Sequence, residues 1–310
     1  MSQEPVLSMR NLTKRIGKKT IVDGVSLDLY PGEVFGFLGP NGAGKTTTIR
    51  MLVGLMSISE GEVTIMGSSL KRDFEGAIRQ VGGIVENPEL YKFLSGYRNL
   101  LHYARMCDGV GRKRIDEVVR LVGLEHRIHD KVKTYSLGMR QRLGLAQALL
   151  HSPRILILDE PTNGLDPSGI REIRDHLRRL AREEGLSVMV SSHLLSEMEL
   201  MCDRIGIIQN GRLIDVKPVE EFVGAQDEDI RQTSIWTLDP VERAVEVIQS
   251  FTGEEPVTTS RGMEITLDRA QIPELNIRLV EAGILVYAIE PTSKSLEDKF
   301  LEVTGGSHIA

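Results

Sequence analysis

The stretch Gly39-Pro40-Asn41-Gly42-Ala43-Gly44-Lys45-Thr46 narrows the possible folds more than any other part of this 310-residue chain. It fits the pattern G-x-x-x-x-G-K-[ST] at every fixed position. Before it, Val34–Leu38 (VFGFL) reads as a short apolar strand, and after it Thr47–Leu55 reads as a helix. Strand, glycine loop and helix in that order form the context in which the pattern cradles phosphates. The glycines let the backbone curl with its N–H groups turned inward, and the helix N-terminus adds its dipole. Lys45 is placed to bridge the outer phosphates and Thr46 to offer a hydroxyl to Mg²⁺. Residues Gly39, Pro40, Asn41, Gly42, Ala43, Gly44, Lys45, Thr46 and Thr47 are therefore the candidate nucleotide-binding set.

A second element depends on the first for its meaning. Ile155-Leu156-Ile157-Leu158 is a buried-type strand that ends in Asp159-Glu160. Alone it is an acidic loop after a core strand. Beside a phosphate loop, Asp159 can orient the Mg²⁺ shell, and Glu160 can accept a proton from water attacking a γ-phosphate. Three shorter signals follow the same logic. Ser136-Leu137-Gly138-Met139-Arg140-Gln141-Arg142 precedes a helical run and offers a second helix N-terminus for phosphate. Asn163-Gly164-Leu165-Asp166 follows Glu160 closely. Ser191-Ser192-His193 follows the strand Ser187–Val190, where an imidazole could reach a γ-phosphate.

The rest of the chain sets the architecture. Arg154–Leu158 and Ser187–Val190 are continuous apolar runs, as expected of strands covered on both faces. Between them, Ile170, Ile173, Leu177 and Leu180 fall at helical spacing in Gly169–Glu183. Strand–helix–strand alternation implies a parallel sheet with covering helices. Ile21–Leu29 partly alternates, and Arg204–Val216 reads as a hairpin turning at Asn210-Gly211. Beyond it the rhythm changes to strand 233–238, helix 241–251, hairpin strands 256–260 and 263–267, helix 272–282, strand 284–290 and closing helix 295–303. That β-α-β-β-α-β order is the ferredoxin-like one. Charge changes at the same place. From Thr233 onward there are six Lys and Arg against thirteen Asp and Glu, and the preceding part is nearly neutral. The expected division is a large domain over 1–223 with a helical subdomain at about 87–150, a linker over 224–232 containing Gly224–Asp229, an accessory domain over 233–304 and a disordered tail over 305–310.

A net charge of −6 argues against a general nucleic-acid binder. No run of 18 apolar residues is present, so no membrane-spanning helix is expected. The opening residues lack the basic and apolar regions of a signal peptide, which points to the cytoplasm. Cys107 and Cys202 are far apart and outside any metal-ligand spacing, and read as reduced thiols.

Taken together, the five motifs resemble the ATP-binding cassette family, specifically the nucleotide-binding subunit of an ABC transporter, over about residues 6–223. The runs Glu86-Asn87-Pro88-Glu89-Leu90-Tyr91 and Tyr135–Met139, and the tail Leu296–Leu301, are similar to bacterial ABC-2 type drug- and bacitracin-resistance exporters. The resemblance implies a P-loop NTPase of the cassette type: a parallel-sheet core, an antiparallel β part and a helical subdomain, followed by the small α+β ferredoxin-like domain. It implies ATP and Mg²⁺ as cofactors, with Thr46, Glu86 and Asp159 toward the metal, Glu160 and His193 as catalytic residues, and Ser136, Gly138 and Asp166 at the nucleotide. It implies a head-to-tail dimer of two identical chains, in which one subunit's phosphate loop faces the other's Ser136 and Gly138. Integral membrane permease subunits would complete the machine, placing this chain at the cytoplasmic face of the cell membrane. Antibiotic, peptide or lipid-like substrates would be exported.

Two positions depart from the family pattern. Glu86 stands where a glutamine is usual, and Ile16 where a tyrosine commonly stacks on adenine; the signature also carries Leu137 and Met139 for the commoner glycine and glutamine. A soluble cassette ATPase acting on ribosomes or DNA is the alternative. It fits less well, because the chain has one phosphate loop, and Ser59–Lys133 leaves no room for a long coiled coil. The accessory domain reads as dimer-stabilising or permease-contacting, with a small regulatory ligand as the other option.

Overall fold

The computed structural model describes residues 4–223 and 232–291. The chain divides into two compact units, with the division between Val219 and Glu220.

The first unit begins with the antiparallel strands β1 (Leu7–Ile16) and β2 (Lys19–Leu29), then β3 (Val34–Leu38) and helix α1 (Lys45–Leu52). Next come β4 (Glu60–Ile65), β5 (Ser68–Ser69), α2 (Phe74–Ile78) and β6 (Val81–Ile84). Helices α3 (Gly96–Ala104), α4 (Arg112–Leu121) and α5 (Leu137–Ala148) follow. Then β7 (Ile155–Asp159), α6 (Pro167–Glu184), β8 (Ser187–Ser192) and α7 (Leu195–Met201) alternate, before β9 (Arg204–Gln209) and β10 (Arg212–Pro218); α8 (Val219–Val223) crosses the division into the second unit. The main sheet has the order β10-β9-β3-β8-β7-β6, with β3, β6, β7, β8 and β9 parallel and β10 antiparallel. A second, antiparallel sheet has the order β2-β1-β4-β5.

Every residue of β3, β7 and β8 is buried, which is why these strands read as unbroken apolar runs. One core joins both sheets across α1: Leu7, Met9 and Val63 from the antiparallel sheet, Ile49 and Leu52 from α1, Phe35, Phe37 and Ile157 from the parallel one. The hairpin turn lies where expected. Asn210 and Gly211 have φ of 52° and 80°, the two left-handed residues that a type I′ turn requires.

Three differences from the sequence expectation have local causes. Helix α1 starts earlier and stops earlier than Thr47–Leu55, because Gly54 at φ 76° turns the chain out of the helix. Helix α6 starts at Pro167 because Asp166 caps it, accepting from the Gly169 N–H at 3.0 Å. Strand β6 gave no strand signal because two of its four residues are glycines. A Cβ on Gly82 would lie 2.4 Å from the Ala148 carbonyl oxygen, so the end of α5 demands that glycine. Helices α3, α4 and α5 all come between β6 and β7, which are neighbours in the sheet, and so form a helical insertion.

The second unit contains β11 (Gln232–Asp239), α9 (Val241–Thr252), β12 (Val257–Thr259), β13 (Gly262–Leu267), α10 (Gln271–Glu281) and β14 (Leu285–Pro291). Its sheet is antiparallel with the order β12-β13-β11-β14, and the element order is the β-α-β-β-α-β one read from the sequence. Trp236 is fully buried against Ile248, Ile265, Leu275 and Leu279. Nearly all of the expected linker, the closing helix 295–303, the run Leu296–Leu301 and the tail 305–310 lie outside the described residues. Cys202 is buried and Cys107 half-buried; burial raises both thiols above the ordinary cysteine range, as expected of unreactive thiols.

Candidate nucleotide site

The C-terminal ends of adjacent parallel strands bring the motifs to one edge of the sheet. Because β8 lies between β3 and β7, the phosphate loop, His193 and Asp159-Glu160 leave three consecutive strands. Glu86 follows the next strand, β6. Ligands of open α/β sheets bind at such an edge.

In the phosphate loop, Gly44 has φ 108°, a conformation that side chains resist. A Cβ on Gly39 would lie 2.3 Å from the Ile208 carbonyl oxygen. The Lys45 ammonium is folded back into the loop, donating to the Gly39 carbonyl at 2.6 Å and the Pro40 carbonyl at 3.3 Å. It also stands 3.5 Å from Glu160 Oε1, and Lys45 is only 5% exposed. Burial lowers its pKa from the ordinary lysine range, and the charges of Glu160 and Asp159 only partly counter that.

Strand β7 delivers the two carboxylates in different states. Asp159 is almost fully buried and accepts from the Ser191 hydroxyl at 2.6 Å. Glu160 has φ 50°, and its N–H is shared between the Ser191 carbonyl at 3.2 Å and the Ser191 Oγ at 3.1 Å. Its carboxylate lies between two groups: Oε1 toward Lys45, and Oε2 at 2.5 Å from His193 Nδ1. Lys45, Glu160 and His193 thus meet directly. Just beyond, the Thr162 hydroxyl donates to Glu197 of α7, both buried.

The other sequence candidates stand apart from this cluster. Glu86 has φ 64° and pairs at 2.5 Å with Arg50 of α1; its side chain is 62% exposed. Ser136 is exposed and caps α5, accepting from the Met139 N–H at 3.2 Å. A methyl group on Gly138 would meet only Leu165, at 3.9 Å. The Asp166 carboxylate is engaged in capping α6. Ile16, at the end of β1, is 53% exposed. Sequence reasoning assigned no role to Ser191, Thr162 or Glu197. Only the pairing of Asp159 with Ser191 in the β7–β8 register could have pointed to the first.

The residues present suit Mg²⁺. Among the described residues no group of three or more His, Cys, Asp or Glu could hold a metal by itself. Mg²⁺ is usually bound by one or two protein oxygens together with substrate phosphates and water. The Thr46 hydroxyl and the Asp159 carboxylate are oxygen donors of the type that such a site would use.

A parallel-sheet phosphate-loop domain with a helical insertion and an antiparallel flank is the architecture of an ATP-binding cassette. The ABC transporter family description matches residues 22–163. The uncharacterized ABC transporter ATP-binding protein YhcH of Bacillus subtilis (strain 168) is 57% identical over 300 residues, covering 97% of this chain and 96% of that protein. The bacitracin transport ATP-binding protein BcrA of Bacillus licheniformis is 39% identical over 305 residues, covering 98% and 99%. The dimeric post-hydrolysis structure of the cassette MJ0796 bound to ADP and Pi superposes with a TM-score of 0.61 at 27% identity, covering 69% of this chain and 98% of that one. The chain belongs to the ABC transporter ATP-binding family. It is an ATP-binding, ATP-hydrolysing transporter subunit, and among the described residues no helix is long and apolar enough to cross a membrane.

Proposed function

We propose that two copies of this chain bind two ATP molecules with Mg²⁺ between them and drive a separate integral membrane permease that exports an antibiotic, peptide or lipid-like compound. The chain would work at the cytoplasmic face of the membrane, held there by the permease. The observation that carries the catalytic part is the Glu160 carboxylate set between Lys45 Nζ and His193 Nδ1.

On this reading backbone N–H groups of the loop 39–47, of which Pro40 has none, and the Lys45 ammonium bind the phosphates. The Lys45 ammonium leaves the loop carbonyls for the outer phosphates, and Glu160 is released from that pairing. Thr46 and Asp159 would hold Mg²⁺, which would supply charge neutralisation on the phosphate oxygens when bound. Glu160 accepts the proton of the attacking water; so protonated, it can donate to His193 Nδ1, which leaves Nε2–H to donate to a γ-phosphate oxygen. The exposed Ser136 and the half-buried Gly138 of a second copy present a helix N-terminus to the same γ-phosphate. Two helix ends closing on one anion would close the dimer, and hydrolysis would open it. Asp166 acts at the nucleotide through the loop it ends rather than by its carboxylate, which caps α6.

Support for a permease partner comes from a cleft of about 330 Å³ between the parallel sheet and the helical insertion, lined by Val53, Leu55, Ile84, Pro88 and Gln147. Leu55, one of its lining residues, is 70% exposed. Apolar side chains open to solvent beside a cleft suit a docked helix. The name of BcrA, a bacitracin transport protein, supports export of an antibiotic-like compound. Co-purification of the tagged chain with a hydrophobic permease tests the reading; recovery with ribosomes instead would replace it with the soluble-ATPase alternative.

Glu86 would ligate Mg²⁺ and move with the helical insertion once Arg50 releases it. Glu86→Gln should stay active with a modest change in Mg²⁺ dependence. Glu86→Ala should lose permease-stimulated hydrolysis more than basal hydrolysis. Equal loss of both would show that Glu86 does not couple the subunits.

Ile16 bears on base choice. Aromatic stacking on a base contributes about 1–3 kcal/mol in nucleic-acid sites, and an isoleucine offers no π-face. GTP should therefore be hydrolysed within about tenfold of ATP, a gap of roughly 1.4 kcal/mol, and Ile16→Tyr should tighten ATP binding. Steady-state kinetics with both nucleotides check this; a strong wild-type preference for ATP would place the base contact elsewhere.

A further inference from the structure

The end of β8 supplies three polar residues in a row, and each does something different. His193 reaches the Glu160 carboxylate. The Ser192 hydroxyl accepts from the Leu194 N–H at 2.9 Å, holding the loop that leads into α7. The Ser191 hydroxyl points back to β7. It donates its one proton to Asp159 Oδ1 at 2.6 Å and accepts the Glu160 N–H at 3.1 Å.

We propose that Ser191 is a positioning residue for the ATPase reaction: its buried hydroxyl orients the Asp159 carboxylate for Mg²⁺ and holds the Glu160 backbone that carries the proton acceptor. Three observations support this. Ser191 is fully buried and Asp159 only 2% exposed, so water does not compete for the bond. The register pairs Asp159 with Ser191, so two strands, not a mobile loop, fix the geometry. Glu160 has φ 50°, a conformation a glutamate adopts only when its surroundings impose it, and its one backbone donor is held by Ser191 alone. With Oδ1 committed to Ser191, the other Asp159 oxygen has one orientation to offer. Valine or alanine would satisfy the packing of β8, whose inner residues Val188, Met189 and Val190 are buried apolar ones. A hydroxyl at this position therefore serves the carboxylates.

The proposal rests on the reading of Asp159 as a Mg²⁺ ligand, and the experiment separates the two. Binding of a fluorescent ATP analogue is titrated in a Glu160→Gln background, once in EDTA and once against Mg²⁺. Ser191→Ala should bind the analogue in EDTA within about twofold of its parent, while the Mg²⁺ concentration that gives half of the metal-dependent gain rises roughly tenfold, as for other residues that orient a metal ligand. Ser191→Thr, which keeps the hydroxyl, should restore most of that shift. Asp159→Asn serves as the reference and should abolish the metal-dependent gain. If Asp159→Asn does so while Ser191→Ala leaves the Mg²⁺ titration unchanged, the role of Ser191 is refuted alone. If Asp159→Asn has no effect, both readings fall. If Ser191→Ala weakens binding equally with and without Mg²⁺, Ser191 is a packing residue and the proposal is wrong.

Discussion

Glu160→Gln should still bind ATP while hydrolysing it about a thousandfold more slowly, within the range ascribed to a general base. The amide has nearly the same shape, so the left-handed backbone at 160 and its N–H bonds to Ser191 can persist. What disappears is the group that accepts water's proton. Lys45 also loses its carboxylate partner at 3.5 Å, which leaves the ammonium to the phosphates. With hydrolysis blocked, ATP and Mg²⁺ should hold two copies together as a dimer visible by size-exclusion chromatography with light scattering. Near-normal turnover in this variant would remove Glu160 from the role proposed for it.

Lys45→Ala should fail at the step before. The ammonium now makes two loop hydrogen bonds in a buried setting that lowers its pKa. Phosphate oxygens would replace those neutral acceptors with charged ones, and hydrogen bonds to charged groups contribute about 1.5–3 kcal/mol each. Losing them should weaken ATP binding roughly ten- to a hundredfold per bond. Thermal unfolding separates the two variants: saturating ATP should raise the Tm of Glu160→Gln and leave that of Lys45→Ala nearly unmoved. A normal ATP-induced shift in Lys45→Ala would show that the loop backbone alone binds the nucleotide.

The site was legible where chemistry needs contiguous residues. The phosphate loop and Asp159-Glu160 announce themselves because glycines, a lysine and a strand-end carboxylate pair have to stand side by side in the chain. The partners that arrange them come from other strands. Ser191 reads locally as one more small residue at the end of SVMVSS, and gains meaning only from its register with Asp159. Thr162 and Glu197 are 35 residues apart, and nothing near either one anticipates their buried bond. Asp166 was legible as a motif residue, while its capping of α6 follows from Pro167 and the N–H of Gly169. In the fold, the fully buried strands β3, β7 and β8 stood out as apolar runs. Strand β6 did not, because the close approach of α5 demands glycine at Gly82.

Each site is proposed to be shared, with the loop of one copy facing Ser136 of the other. Asn41 and Ser136 are both exposed, and of the two cysteines Cys202 is buried and Cys107 half-buried. The direct measurement introduces Asn41→Cys and Ser136→Cys together, in a Glu160→Gln background with Cys107→Ser, and applies a short bis-maleimide. With ATP and Mg²⁺ the account predicts a covalent dimer that neither single cysteine variant forms and that ADP does not support. A product that remains monomeric under those conditions, or a dimer formed equally well by Asn41→Cys alone, would contradict it.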